Sequence, residues 1–282
     1  MKKINVVQFL PYFSPHKGGV ETVWEEIGKY WVKNNMWKFI NVVSNYEQNI
    51  WLKQIIFDDV VIWYKKEWYE VLVVASFELI NNFPVYKVWS KEYKLVKKYL
   101  KLEINNKSED YRIITHTRFF TTSLIWWLFA RKNKIKWIHI EHGSSYVLLS
   151  SKLKSYLSVV YDKLIWKWIF KNADKVLGIS EACKKFILNK FVDREVEVFY
   201  RWLDLSNINI DKKWNIKLIF VWRLVSLKWV SNLIEAYKKS WIKNELIVIW
   251  DWEEKKVLEE KSKWFNIKFL WYKNREFVID YL

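Results

Sequence analysis

The sequence predicts an α/β protein of two Rossmann-like domains, each built on a parallel sheet, the second of them incomplete. Three observations carry this expectation. Short apolar runs alternate with longer amphipathic segments along the chain, the pattern of strand-helix-strand units. The run Leu218 to Val221 is apolar at every position, as in a parallel strand covered on both faces. Charged and glycine-bearing loops follow the strands, at the carboxyl ends where open α/β sheets bind ligands. With 282 residues, 51% of them hydrophobic, the chain has length for two ordinary domains and apolar material for two cores. The boundaries fall at residues 1–205 for the first domain, 206–215 for a polar linker and 216–282 for the second.

Ile4 to Leu10 reads as the first strand; the run contains Asn5 and Gln8 and is too short for a signal peptide. In the loop that follows, Gly18-Gly19 lets backbone approach a ligand just before the amino end of a helix over Thr22 to about Lys33, although an ordinary turn has the same need. Phe39 to Ser44 is a second strand. Asn45 to Tyr69 holds short apolar pieces without clear order, and Val71 to Ala75 is another strand. A basic helix from Ser90 to Leu102 precedes the strand Tyr111 to Thr115, which ends in His116-Thr117-Arg118. A histidine at such a strand end is placed to touch a ligand, so His116 is a candidate functional residue.

Ile135 to Ile140 is the next strand and runs into Glu141-His142-Gly143-Ser144-Ser145. Gly143 keeps that loop small. His142 is a candidate for holding an acceptor, with a loop-stabilising hydrogen bond as the alternative, while His139 alternates inward and is assigned to the core. No acidic or cysteine companion stands at ligand spacing, so no metal site is expected. The long helix Lys152 to Lys171 carries Leu153, Tyr156, Leu157, Val160, Tyr161, Leu164, Ile165, Trp168 and Ile169 at helical period. This stripe is assigned to the core, and the lysine-rich opposite face to solvent or anionic lipid. Ser180 is expected to cap a helix starting at Glu181, and Glu195 to Phe199 closes the first sheet.

The second domain repeats the pattern with strands at Lys217 to Val221, Glu245 to Ile249 and Asn266 to Leu270. After the first of them come Trp222, Arg223, Lys228 and Trp229, then an amphipathic helix from Val230 to Lys239. Arg223 and Lys228 would offer positive charge to a diphosphate at the amino end of that helix.

Residues 222–229 resemble the G-R-L-x-x-x-K-G signature of family-4 glycosyltransferases of the GT-B fold, with Trp222 and Trp229 in place of both glycines. Ile249-Trp250-Asp251-Trp252-Glu253 is similar to the family's I-G-D-G-E, Tyr200-Arg201-Trp202-Leu203-Asp204 to its Y-N-G-V-D, and Leu270-Trp271-Tyr272 to its L-G-Y. The first domain adds P-x-x-G-G-x-E around Gly18-Gly19, E-H-G-S at Glu141 to Ser144, and N-A-D-x-V-x-x-I-S-E at Asn172 to Glu181. His116 matches the second histidine of an H-x-H element whose first is replaced by Ile114. The resemblance covers nearly the whole chain.

It implies a retaining transferase that moves a hexose from a nucleotide-diphosphate sugar to a lipid-linked or polysaccharide acceptor. Residues 1–205 would be the acceptor side and 216–282 the donor side. His116 would contact the transferred sugar, and Arg223 and Lys228 would compensate the departing diphosphate. Gly18, Gly19, His142, Gly143, Ser180, Trp222, Trp250, Asp251 and Trp252 would line the donor and acceptor sites. No cofactor is implied beyond the donor substrate, and without a D-x-D in the chain no metal held by paired aspartates is expected. In the family the second domain continues into paired glutamates and a final helix that do not occur before Leu282, so this 282-residue form is expected to be inactive.

Tryptophan recurs where the family has glycine. The 21 Trp and 5 Gly invert ordinary usage, in which glycine is about 7% of residues. The expectation is a gene from a lineage that decodes UGA as glycine, translated here as tryptophan. A truly Trp-rich membrane-interface protein is the alternative, but interfacial Trp clusters on one surface, and these fall at turns where glycine tolerates positive φ. Trp137 and Trp168, inside apolar segments, read as genuine.

Charge narrows the partners. An excess of 48 basic over 31 acidic residues gives a net charge of +17, which favours a nucleotide diphosphate or an acidic lipid surface. Nucleic acid is less favoured, because the aromatics that would stack on single strands are themselves in question. The lone Cys183 excludes an intramolecular disulfide and fits a reducing cytoplasm. No stretch approaches the ~20 apolar residues needed to span a bilayer, so any membrane contact is expected to be peripheral, on the inner face. Two other readings stay open: a sugar-nucleotide epimerase of the same architecture, and a non-catalytic basic module for anionic lipid or nucleic acid.

Overall fold

β1 (Ile4–Phe9) is the strand about which the first part of the chain is laid out, and all but its first residue are buried. Its two polar members are paired within the sheet. Gln8 Nε2 donates to Asn41 Oδ1 at 3.0 Å, and Lys38 N donates to Asn5 Oδ1 at 3.1 Å. In this computed structural model the residues described are 4–13, 19–34, 38–44, 53–57, 60–65, 70–80, 83–105, 110–147, 151–200, 218–221, 230–249, 255–270 and 277. The chain divides into two units, Met1–Trp202 and Leu203–Leu282.

After β1 come α1 (Gly19–Lys33), β2 (Phe39–Ser44), β3 (Lys53–Phe57), β4 (Val60–Lys65), β5 (Glu70–Val74), β6 (Ser76–Ile80) and β7 (Phe83–Tyr86). Then follow α2 (Lys91–Asn105), β8 (Asp110–His116), α3 (Thr121–Lys132), β9 (Lys136–Glu141) and α4 (Lys152–Tyr161). A π-helical turn (Asp162–Trp166) joins α4 to α5 (Lys167–Asn172), and β10 (Lys175–Gly178), α6 (Glu181–Lys190) and β11 (Glu197–Val198) complete the unit. The main sheet has the order β11-β10-β9-β8-β1-β2-β5-β4-β3. Strands β11 through β5 are parallel, and β4 and β3 add an antiparallel edge.

Adjacent side chains of β1 point to opposite faces and into two cores. Val6 joins Trp24 of α1 on one face. Val7 joins Val96 of α2, Trp126 of α3, Phe170 of α5 and Ile187 of α6 on the other. Helices on both faces explain why the parallel strands are apolar nearly throughout.

The stretch that the sequence left unordered supplies β3 and β4, and β6 pairs with β7 as a separate hairpin that the sequence did not announce. The expected long helix is corrected in one respect. α4 buries none of its residues, with Leu153 67% and Tyr156 65% exposed, and Leu164 of the π turn is 69% exposed, so this part of the apolar stripe is not core. Of the stripe, Ile169 is fully buried as expected and Tyr161 packs partly against the core; the rest of the contribution comes from Asp162, Trp166 and Phe170. A π turn inserts an extra residue into the helical period, and after Asp162 only Ile169 of the stripe that sequence spacing selects is buried.

In the second unit β12 (Leu218–Val221), β13 (Leu246–Ile249) and β14 (Ile267–Leu270) form a parallel sheet in chain order, with α7 (Val230–Lys239) and α8 (Lys255–Ser262) between them. Val230, Ile234 and Tyr237 of α7 and Leu258 of α8 pack on Leu246 and Val248 of the central strand. The three strands lie within a residue of where the sequence placed them, and helices follow the first two among the described residues. Among the described residues no helix is long and apolar enough to cross a membrane.

Candidate functional site

The order of the first sheet reverses at β1: β2 lies on one side of it and β8 on the other. At such a reversal the connections leave in opposite directions and open a crevice beyond the carboxyl ends of the two strands. Register places Phe9 of β1 beside Thr115 of β8, so His116 is the next residue on the rim of that crevice. Neighbouring β9 ends one step further along, in Glu141, and delivers His142 beside it.

The two histidines meet: His116 Nδ1 lies 3.2 Å from His142 Nε2. His116 is fully buried, and the indole of Trp24 covers it with a ring-to-ring distance of 4.2 Å. Its other nitrogen, Nε2, has no hydrogen-bond partner among the described residues, nor has Trp24 Nε1. Burial, with the nearby His142 and His139 adding to it, holds His116 well below the ordinary imidazole range. His116 is therefore neutral at neutral pH, with one ring nitrogen uncommitted.

Glu141 arranges this corner. Its Oε1 accepts the backbone N–H of His142 at 3.0 Å and of Gly143 at 2.7 Å, and its Oε2 accepts the backbone N–H of Arg118 at 3.0 Å. The Arg118 guanidinium pairs with Oε1 at 2.9 Å. Burial alone would raise the Glu141 pKa, but the His139 hydrogen bond, the Arg118 charge and the Gly143 N–H together outweigh it and hold the carboxyl at about 2. A charged carboxylate in the core is tolerable because so many donors meet it.

Arg118 is equally saturated. Nε donates to Asp162 Oδ2 at 2.9 Å, Nη2 donates to the Ser145 carbonyl at 2.6 Å, and the guanidinium lies over Phe186 at 4.9 Å. The residue before it, Thr117, has φ of 60°, a conformation costly for a β-branched side chain. Its backbone is held there by the bond from Thr117 N–H to the Ile140 carbonyl and by Ser123 Oγ–H, which donates to the His116 carbonyl at 2.7 Å.

His139 belongs to the support and not to the rim. Trp137 Nε1–H donates to Thr115 Oγ1 at 2.9 Å, so the threonine proton is free to donate to His139 Nδ1 at 2.9 Å. That leaves the proton of His139 on Nε2, pointing at Glu141 Oε2 at 3.4 Å. The expectation that His139 is core is met.

Gly143 is small for a stated reason: a β-carbon there would come within 3.0 Å of Arg118 Nη1 and 3.1 Å of Glu141 Oε1. Ser180 caps α6 as expected, its hydroxyl accepting the Cys183 N–H at 3.2 Å. The buried Cys183 thiol donates to the Glu141 carbonyl at 3.1 Å, which fastens the start of α6 to the site loop, and burial raises its pKa to about 12. It is a structural thiol and not a nucleophile.

Of the residues singled out from the sequence, His116, His142, Gly143 and Ser180 are thus brought to one corner, and Gly19 starts α1, the helix that carries Trp24. Gly18, Trp222, Arg223, Lys228, Trp250, Asp251 and Trp252 lie outside the described residues. The sequence reading passed over Arg118, Glu141 and Asp162 as functional. Glu141 directly precedes the flagged His142 and Arg118 follows the flagged His116 by two residues; Asp162 carried no local signal, because its partner is 44 residues away.

Parallel α/β units with a charged, glycine-bearing corner at a sheet reversal define the class: the architecture is that of GT-B glycosyltransferases. TarM superposes with a TM-score of 0.63 at 11% identity, covering 98% of this chain and 78% of that one. HepE of Anabaena, solved in complex with UDP-glucose, gives 0.59 at 13% identity over 96% of this chain and 69% of that one. The chain belongs to Glycosyltransferase Family 4, whose family model matches residues 17–207. It is 37% identical over 251 residues to the uncharacterized glycosyltransferase MJ1069 of Methanocaldococcus jannaschii, covering 84% of this chain. The chain spans 60% of the length of that relative.

Proposed function

We propose that the chain serves a retaining glycosyl transfer, in which a hexose passes from a nucleotide-diphosphate sugar to a lipid-linked or polysaccharide acceptor. The observation that carries the reading is the His116–His142 pair at the sheet reversal, fixed by Glu141. A neutral imidazole with an uncommitted nitrogen suits a sugar hydroxyl, to which it either donates or accepts. Arg223 and Lys228 are assigned to the leaving diphosphate, and no metal or cofactor is assigned a role. The complex of HepE with UDP-glucose supports a sugar-nucleotide donor. Transfer of labelled sugar to an extracted lipid-linked or polysaccharide acceptor, by a form extended to the full length of the relative it matches, tests the reading. His116→Ala is expected to lower it on the order of a hundredfold. Conversion of the labelled sugar without acceptor would replace transfer by epimerisation. Salt-sensitive binding to polyanions, unaffected by any nucleotide sugar, would replace it by a basic binding module.

The recoding of tryptophan belongs to the same proposal. Trp241 is 99% and Trp264 87% exposed, and each follows a helix end by two residues, at Lys239 and Ser262. Such positions favour glycine. Trp24 is buried against His116 with an unpartnered indole N–H, as are Trp126 and Trp166 within the core, whereas Trp137 donates its own to Thr115. With glycine at 24, the space over His116 would be open to a ligand. Mass spectrometry of the protein from its native host is expected to show glycine at 222, 229, 250 and 252; tryptophan at all four, or UGG codons there, would end this account.

A further inference from the structure

We propose that the outward face of the helical segment 152–172 is a docking surface for an anionic lipid bilayer. The surface is built by four side chains that the core does not use: Leu153, Tyr156, Leu157 and Leu164, exposed to 67, 65, 56 and 69%. Their spacing keeps them on one side of the helix, while Asp162, Trp166, Ile169 and Phe170 face inward. Contiguous exposed apolar groups of this size mark a contact surface.

Charge identifies the occupant. Lys152, Lys154, Lys163, Lys167 and Lys171 are all exposed on the same segment. Its one acid, Asp162, is buried and bonded to Arg118. An apolar stripe bordered by lysines, with no exposed acid, matches a helix that lies in the headgroup region, its leucines among acyl chains and its ammonium groups on lipid phosphates. A second copy of the chain fits worse, because pairing the two stripes would bring like-charged lysine rows together. The segment is also tied to the candidate site: one Arg118 guanidinium holds both Asp162 and the Ser145 carbonyl. The inference rests on the reading of a lipid-linked acceptor for its biological purpose, and its physical content is independent of catalysis.

The test is co-sedimentation of the 282-residue chain with vesicles of phosphatidylglycerol mixed with phosphatidylcholine, and with vesicles of phosphatidylcholine alone. Binding is expected to the first and to fall with added salt. The triple variant Leu153→Ser, Leu157→Ser, Leu164→Ser, all at exposed positions and checked for an unchanged circular dichroism spectrum, is expected to lose about tenfold or more in partition. Lys152→Gln with Lys154→Gln and Lys163→Gln is expected to flatten the salt dependence. Equal binding of wild type and the leucine variant, equal binding to both kinds of vesicle, or no sedimentation of wild type overturns the proposal. So does a wild-type dimer that the leucine variant renders monomeric, which would assign the stripe to a second copy. Transfer to detergent-dispersed acceptor is measured separately. Failure to sediment overturns docking alone, and sedimentation without transfer, measured in a form extended to the full length of the relative, overturns the acceptor reading alone.

Discussion

Arg118 and Glu141 meet twice: the guanidinium at 2.9 Å and the backbone N–H at 3.0 Å both engage the same buried carboxylate. The pair links the end of β8 to the end of β9, so the two strands that carry His116 and His142 are cross-braced where they leave the sheet. Removing the carboxylate should leave a buried guanidinium with only Asp162 to balance it. Glu141→Ala is expected to cost roughly 3–5 kcal/mol in urea unfolding. A loss below about 1 kcal/mol would show that the brace is dispensable.

Stability should decline in acid in two stages. His116 and His139 are both held below the ordinary 6.5 by burial. The unfolded chain therefore takes up protons near that pH that the folded chain refuses, and stability falls as pH drops below it. Glu141 adds a second stage, because its folded value of about 2 lies under the ordinary 4.5, and its contribution, on the order of 3 kcal/mol, is lost between the two. Asp162, raised by burial, opposes this in part. Urea midpoints measured from neutral pH downward check the order. Glu141→Gln should shrink the second stage, leaving the part due to Glu103, where burial is outweighed by Lys38 and the carboxyl is also held below the ordinary range, and a flat profile through the first would contradict the neutral, buried histidines.

Gly143→Ala should strain the brace without removing any of its groups. The added carbon meets Arg118 Nη1 at 3.0 Å and Glu141 Oε1 at 3.1 Å, and neither can swing away, since both are committed to other partners. About 1–3 kcal/mol of destabilisation is expected. Gly178→Ala is the stricter case, because its β-carbon would lie 2.9 Å from the backbone nitrogen of Lys184. Thermal melts in which both variants match wild type would refute the packing described here.

Ser180→Ala removes the hydroxyl that accepts the Cys183 N–H. The loss should be about 1 kcal/mol by denaturant titration, with little of it regained in Ser180→Ala/Cys183→Ser. Full recovery in Ser180→Asp would confirm that the effect lies in capping and not in the loop.

Much of this architecture was legible in advance. The parallel strands announced themselves as short, mostly apolar runs, because a strand covered on both faces displays little polar surface. His116 and His142 were found because each follows such a run directly. The β6–β7 hairpin escaped because its strands, Ser76–Ile80 and Phe83–Tyr86, are short and the second contains Pro84, so the turn-favouring Asn81-Asn82 pair between them was passed over. The stripe on α4 was misassigned to the core because helical periodicity reports that a face is apolar, not what covers it.

The sequence by itself determined the order of elements, the strand ends where chemistry belongs and the cationic balance, since these follow from local patterning and composition. Only the tertiary structure decided that Glu141, Arg118 and Asp162 form one buried unit, that His116 lies under Trp24, and that Leu153 and Leu164 face outward. Each of those is a relation between residues distant in the chain. It depends on strand order and on a single inserted residue in a helix, neither of which a local pattern can express.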